Sequence, residues 1–449
     1  MKRFALVGAG ARARLYLDAL SGKFRDGNEL VAVCDSNPGR LALAARICSQ
    51  GGTRAPQTWL AADFDTLLRE TRPDTVIVTT PDVTHDDYIV RALDAGCHVM
   101  TEKPMTTTPA KAQRILDACK RTDRHVRVLF NYRYSPPRTQ VKDLLMKGEI
   151  GDILSVDFHW LLNTQHGADY FRRWHSMKVL SGGLMVHKAT HHFDLVNWWL
   201  GAQPDTVLAS GKREFYTPAM ARRMGLKSPH DRCHGCPEQT SCTFYMDLAA
   251  SPGLKELYLD CEHHDGYFRD QCVFRREIDI EDTMNVIVRY GTGTTLSYSL
   301  NASSAWEGYQ IAFNGTRGRL EHEMVEQIFV AGADASLRAL DADRVRTRII
   351  PLRGAARELE PWTASGAHGG GDDVMLNDLF GAVETDPFQR ASDERGAAWS
   401  ILIGMAANRC FETHEPVRIA DLVTGLTPPA AAPMPSRATP VPMPRRVDL

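Results

Sequence analysis

The sequence predicts an α/β protein: a doubly wound parallel sheet, then a second α/β domain with a large, mostly antiparallel sheet. Three observations predict it. A Gly-x-Gly-x-x-Ala turn follows the first apolar strand. Strands and helices then alternate to about residue 130, which implies parallel strands with crossover helices. From about residue 151 the apolar segments turn to period two, the mark of an open antiparallel sheet. A chain of 449 residues is long enough for both domains and a large core.

Phe4-Ala5-Leu6-Val7 is the first strand, and Gly8-Ala9-Gly10-Ala11-Arg12-Ala13 is the turn. Gly8 permits the tight bend, Gly10 lets a pyrophosphate approach the backbone, and Ala13 lets the helix pack on the strand. The helix over 12–21 presents its first amides to the phosphates, which places Ala11 and Arg12 with the glycines at a dinucleotide. The strand 29–35 ends in Asp35, where a carboxylate binds the adenosine ribose. Asp35 favours NAD by repelling a 2′-phosphate. Arg40, five residues on, leaves NADP open.

Helices are expected from 41 to 50 and from 64, a strand over 74–81, and a helix over 86–95 stopped by Gly96. The strand 98–100 delivers Glu102-Lys103-Pro104. A helix over 109–121 and a strand over 126–130 complete the domain, set at 1–130. Ligands of such sheets sit at the carboxyl ends of the strands. Thr80, Pro81, His85, Glu102, Lys103, Asn131 and Arg133 all fall there. Lys103 is placed to reach the reactive end of the cofactor.

The second domain, 131–425, has period-two strands over 153–160, 206–211, 283–290, 294–301 and 310–314. Between the first two lies a helix over 182–201, closed by Gly201. His187, Lys188 and His191 are polar groups in this otherwise apolar helix, and His187 and His191 share one face. Arg173 and Trp174, with Arg172 and His175, precede it and are candidates for lining a sugar pocket. His187 and His191 also have i, i+4 metal-ligand spacing. A third ligand could come from His166, His175, Glu262 or His263, and nothing in the spacing selects one. Gly369 to Asp373 precedes a helix to about 383, and a long helix over 394–412 is expected to pack on the sheet. Residues 426–449 are rich in Pro and Ala and read as a disordered tail.

An insertion over about 212–280 holds half of the ten cysteines. Cys233, Cys236 and Cys242 have metal-ligand spacing. Cys272 is the first choice for a fourth ligand, with Cys261, His234 and His263 as alternatives. Structural zinc is the expected occupant, although an iron–sulfur cluster fits the residue types. The other cysteines stand singly in apolar surroundings, as buried thiols of a reducing compartment do.

The formal net charge is -2, so no general attraction to nucleic acid or an anionic membrane is expected. No apolar run reaches the ~18 residues of a membrane span. A cytoplasmic location is expected, because the N-terminus leads straight into the glycine turn.

The combination of the dinucleotide unit, Thr80-Pro81 with His85, Glu102-Lys103-Pro104, Asn131-Tyr132-Arg133-Tyr134, and Gly-Gly before the His-x-x-Asp of His191 to Asp194 resembles the Gfo/Idh/MocA oxidoreductases over about 1–425. The resemblance implies a Rossmann domain and NAD(P)-linked oxidation of a hydroxyl on a sugar, polyol or sugar acid. It implies a homodimer or homotetramer formed through the open face of the C-terminal sheet. The family's catalytic lysine matches Lys103 and its histidine matches His191. Its aspartate position is His187 here, and Lys188 adds a cation beside it. On this reading His191 is the base, Lys103 steadies the alkoxide, and His187 holds substrate or relays the proton. Two other readings stand beside it: an enzyme that uses bound NAD transiently for elimination or epimerisation, and a non-catalytic NAD-binding sensor.

Overall fold

The structure, a computed structural model, describes residues 1–227, 229–326, 344–364, 369–382 and 385–435. Strands β1 (Lys2–Val7), β2 (Asn28–Asp35), β3 (Gln57–Leu60), β4 (Thr75–Val78), β5 (His98–Thr101) and β6 (Val126–Val128) pair in parallel, in the order β6-β5-β4-β1-β2-β3. Phe4 to Val7 are buried on both faces of the sheet, as parallel strands under helices require. The strand order reverses at β1 and β4, so their carboxyl ends flank a crevice. The helix Pro38–Gln50 begins where Asn37 accepts from the amides of Gly39 and Arg40.

The second sheet contains β7 (Ile153–Asn163), β8 (Pro204–Lys212), β9 (Thr283–Tyr290), β10 (Thr295–Ser304), β11 (Gly308–Gly315), β12 (Gly318–Val325), β13 (Val345–Pro351) and β14 (Arg357–Leu359). Two short strands follow, β15 (Ser392–Asp393) and β16 (Val417–Arg418). The order is β14-β13-β12-β11-β7-β10-β9-β8-β16, antiparallel throughout except for the parallel pair β7/β10. Along β9, Met284, Val286, Val288 and Tyr290 point into the core while Asn285 and Ile287 face out. That alternation is the period two of the sequence.

The expected boundary at 130 follows the run of the chain, but the core of the first domain is finished from far downstream. β15 extends the first sheet, pairing Ser392 with Val128 and Asp393 with Arg127. The helix Gly371–Phe380 sends Met375, Leu376, Leu379 and Phe380 into the cluster that holds Phe4, Tyr16 and Leu20. Phe380 meets Phe4 edge-on at 5.3 Å.

The single helix expected over 182–201 is two, Gly183–His187 and Ala189–Leu200. At Lys188 the ladder tightens: Lys188 N bonds Leu184 O (3.0 Å), whereas His191 N bonds Lys188 O (3.2 Å), three residues back. The helix Glu394–Thr413 crosses the first piece closely. A Cβ on its Gly404 would stand 2.2 Å from Met185 O, so only glycine fits there.

Residues 426–435, expected as the start of a disordered tail, lie against the second domain. Trp399 Nε1 donates to Thr427 O (3.2 Å), Lys142 Nζ stands 3.0 Å from Met434 Sδ, and Ala432 is buried. Met434 and Ala432 supply apolar groups that an average over Pro-rich composition hides. The remainder of that tail, 436–449, lies outside the described residues.

Candidate active site

The crevice at β1 and β4 begins with the glycines. Gly8 has φ +94°, and a Cβ there would strike Thr80 N at 2.6 Å, so this glycine serves the contact between two strand ends. Gly10 has nothing within 4 Å of where a Cβ would lie. That open space, over the N-terminus of the helix Ala13–Ser21, is what a bound pyrophosphate needs, and the residues fit a dinucleotide. Gly10, Ala11 and Arg12 would border its phosphates.

Asp35 closes β2 and is buried. Its two carboxylate oxygens accept from Ala9 N (2.6 Å) and Asn37 N (2.8 Å), so it braces the glycine turn with lone pairs to spare for ribose hydroxyls. Burial pushes its pKa up, and Arg40 and Asp265 act on it with opposite signs. Arg40 is not left open to the crevice. It donates to Asp265 Oδ2 (2.7 Å), and its guanidinium lies over the rings of Tyr258 and Tyr267.

Glu102, expected at the cofactor, organises the turn instead. Its Oε1 accepts from Arg12 Nε and from Tyr16 OH, both at 2.5 Å. Asn131 donates to Asp372 Oδ1 (2.7 Å), and Asp372 pairs with Arg12 at 3.6 Å. His85 stands between Pro104 O (2.8 Å) and Thr80 O (2.9 Å), and so ties the end of β4 to the lysine turn. Pro81 starts the short helical turn Asp82–Thr84, which leads into the helix His85–Asp94.

Lys103 Nζ lies 3.2 Å from His187 O and 3.5 Å from His187 Nε2. Burial lowers its pKa to about 8, with Asp82 opposing the shift and Lys188 adding to it. His187 Nδ1 is 2.5 Å from Asp82 Oδ2. Burial first, and then the cations of Lys103, Arg173 and Lys188, hold the imidazole well below the usual histidine range. Burial also raises the Asp82 carboxyl well above the usual carboxylate range. The Lys103 ammonium can only donate and faces Nε2, so the ring proton is assigned to Nδ1, toward Asp82. The sequence reading passed over Asp82. The signal available was its place, two residues beyond Thr80 at a strand end, where ligands gather.

The rest of the pocket packs around His187. The rings of His175 (4.1 Å), Tyr170 (5.5 Å) and Trp174 (5.8 Å) surround it. Arg173 pairs with Asp169 at 3.2 Å. Burial would raise Asp169, but Arg269, Arg173 and Arg172 bring it down to about 2. His191 sits one turn past His187 with its ring stacked on Tyr132 at 4.2 Å. Lys188 turns away from this group, donating to Tyr132 OH (3.1 Å) below the rings of Tyr132 and Trp160. Lys103, His187, Arg173 and Trp174 are thus brought together, while Lys188 is a buried cation behind the site.

Two family descriptions match the chain: an oxidoreductase family with an NAD-binding Rossmann fold over residues 2–130, and its C-terminal alpha/beta domain over 142–419. The chain belongs to the Gfo/Idh/MocA oxidoreductase family. YteT of Bacillus subtilis (strain 168), named as an oxidoreductase, is 35% identical over 437 residues, covering 94% of this chain and 99% of its own. The D-glucoside 3-dehydrogenase of Escherichia coli (strain K12) is 29% identical over 202 residues, 44% of this chain and 54% of its own. The inositol 2-dehydrogenase of Rhizobium meliloti (strain 1021) is 29% identical over 208 residues, 46% and 58% of the two chains. Among solved structures, the WlbA dehydrogenase of Bordetella pertussis, in complex with NADH and UDP-GlcNAcA, superposes with a TM-score of 0.60 at 19% identity, over 93% of this chain and 98% of that one. At that identity the likeness is one of fold. In this Gfo/Idh/MocA chain no described helix is long and apolar enough to cross a membrane.

The expected metal ligands separate into two groups. His187 and His191 lie on either side of the helix break, and His187 is bonded to Asp82. Cys233, Cys236, Cys242 and Cys272 line one cavity in the insertion. Among the described residues, no group of three or more His, Cys, Asp or Glu side chains is arranged so that it could hold a metal ion.

Proposed function

We propose that this protein oxidises a secondary hydroxyl of a sugar, glycoside, polyol or sugar acid, with NAD as hydride acceptor. The observation that carries the reading is the chain Lys103–His187–Asp82 at the open end of the crevice, inside a ring of aromatic side chains. NAD, when bound, takes up the hydride. His187 Nε2 takes the hydroxyl proton, and Asp82 steadies the imidazolium that forms, as a carboxylate behind a catalytic histidine does. Lys103 steadies the developing alkoxide. Trp174 offers a face to a sugar ring, and Arg173 suits a substrate carboxylate. His191, the base expected from the sequence, has its ring stacked on Tyr132, whereas His187 stands between Lys103 and Asp82, so this reading gives the base to His187. The dehydrogenase relatives support this substrate class. We also propose that copies of the chain associate through the open face of the second sheet.

The test is a panel of glycosides, inositols and uronic acids scored for NADH formation. Net NADH with at least one of them is the expected result. Turnover without net NADH would establish transient use of the cofactor instead. Lys103→Ala should abolish turnover and keep NAD binding; unchanged turnover would sink the enzyme reading.

Cofactor choice belongs to the same proposal. A 2′-phosphate beside Asp35 requires a cation, and Arg40, which could supply one, is neutralised by Asp265. The cleft therefore prefers NAD. Asp265→Ala should free Arg40 and tighten NADP relative to NAD by about tenfold in direct binding titrations, the worth of one charge-assisted hydrogen bond. An unchanged ratio of the two dissociation constants would refute it.

A further inference from the structure

The insertion contains a second cluster of reactive groups that the oxidation does not use. Its two arms are joined by an antiparallel bridge, Arg232 to Gln271, flanked by Cys233 N to Asp270 O (2.8 Å) and Cys272 N to Asp231 O (2.9 Å). That bridge brings Cys272 beside Cys233 although they are far apart in sequence. Cys236 N returns to Cys233 O (2.9 Å) through a tight turn in which Gly235 has φ +77°. Cys242 N bonds Glu238 O (2.9 Å) in the next turn. All four cysteines line a single cavity of ≈ 20 Å³. None of the ten cysteines is in a disulfide.

Two features of the surroundings point to an anionic occupant. Arg172 is 4% exposed, and its Nη1 lies 3.3 Å from Cys233 Sγ. Its Nη2 donates to Phe244 O (2.9 Å), and its Nε has no hydrogen-bond partner. A buried guanidinium with an unmade hydrogen bond favours an anion beside it. Arg275 stands on the other side, donating to Cys272 O (2.6 Å). Of the cavity's other polar side chains, His230 and Glu238 bond each other at 2.6 Å, and Arg232 pairs with Glu262 and Asp270. The four thiols are the soft metal-ligating groups that line the cavity.

We propose that Cys233, Cys236, Cys242 and Cys272 bind one zinc ion as a tetrathiolate site. Binding needs the four thiol side chains to rotate toward the cavity centre and release their protons to solvent. The product is a net dianion, which Arg172 and Arg275 neutralise. A cavity of ≈ 20 Å³ accepts one water-sized ion. The site ties together an insertion that reaches both halves of the crevice. On one side Asn37 Nδ2 donates to Cys261 O (2.9 Å) and Arg40 pairs with Asp265. On the other, Arg269 pairs with Asp169. The zinc is structural and holds the ends of this strap in register.

Full-length protein purified without added metal should contain one zinc per chain and no acid-labile sulfide. Cys236→Ser and Cys272→Ser should each lose it. If those variants do not fold, wild-type protein stripped with a chelator should take up Co²⁺ to one equivalent, with the intense sulfur-to-cobalt absorption of a tetrathiolate centre. Four results would overturn the proposal: protein that carries no zinc and takes up no Co²⁺, Co²⁺ bound without sulfur-to-cobalt absorption, zinc retained by a folded cysteine variant, or iron with labile sulfide.

Discussion

Asp82 changes how the catalytic residues are understood. The family pattern places an aspartate on the helix, and this chain has His187 there. The structure sets a carboxylate oxygen, Asp82 Oδ2, 2.5 Å from that imidazole. On the proposed mechanism this carboxylate acts through His187. Asp82→Asn should leave NAD binding intact and lower kcat by about 10²–10⁴-fold, the range for losing the group that orients and stabilises a catalytic imidazole. A variant with wild-type kcat would remove Asp82 from the proposed relay. The proposed mechanism gives the pH profile two limbs. His187, held low by burial, stays a base well below the usual histidine range, so the acid limb should fall there. Lys103 must be a cation to steady an alkoxide, so the rate should decline as pH rises through about 8. A flat profile between pH 7 and 10 would contradict the role of Lys103. Lys103 was legible in the sequence because its position at a strand end is set locally. The Asp82–His187 contact spans two domains and leaves no trace in periodicity or spacing.

The short elements around the site are held by few, specific contacts. Gly404 presses its backbone on Met185 and so fixes the helix that ends in His187. Lys142 serves the following helix. It is fully buried, and its Nζ donates to Trp198 O (2.6 Å), the carbonyl end of Ala189–Leu200, where a cation suits the helix dipole. Burial lowers its pKa from 10.5 to about 7, with Arg133 adding to the shift. The unfolded chain therefore binds this proton more tightly than the folded one between pH 7 and 10.5. Burying Lys142 costs most at and below pH 7, and the cost fades as pH rises toward 10.5. Lys142→Met should raise Tm at pH 6 and do so much less near pH 10, with a difference on the order of 3 kcal/mol. An equal change at both pH values would show that Lys142 is not shifted. The sequence announced this helix by its apolar run and its closing glycine. It did not announce the break at Lys188, because no proline or glycine marks it.

At the scale of the molecule, the open face of the second sheet is the surface proposed for association. Leu208 and Ile287 sit opposite each other on β8 and β9, exposed by 42% and 50%. Ile287→Arg should convert the assembly to monomers in size-exclusion chromatography with light scattering. Wild-type protein that is already monomeric would exclude the interface. The first sheet was legible from apolar strands alternating with helices, the second from the period-two alternation of apolar residues. The return of residues 371–380 and 392–393 to the first domain was not, because β15 is two residues long and its partner lies more than 260 positions upstream. That return has a consequence for how the protein is made. When a ribosome has finished the first 130 residues, the nascent domain still shows solvent the bare edge of β6 and the apolar hollow later filled by Phe380. Exposed edges and apolar hollows of this kind draw chaperones and invite mispairing. The dinucleotide fold therefore stays unfinished until about nine-tenths of the chain has emerged, and its first 130 residues wait for its last two elements.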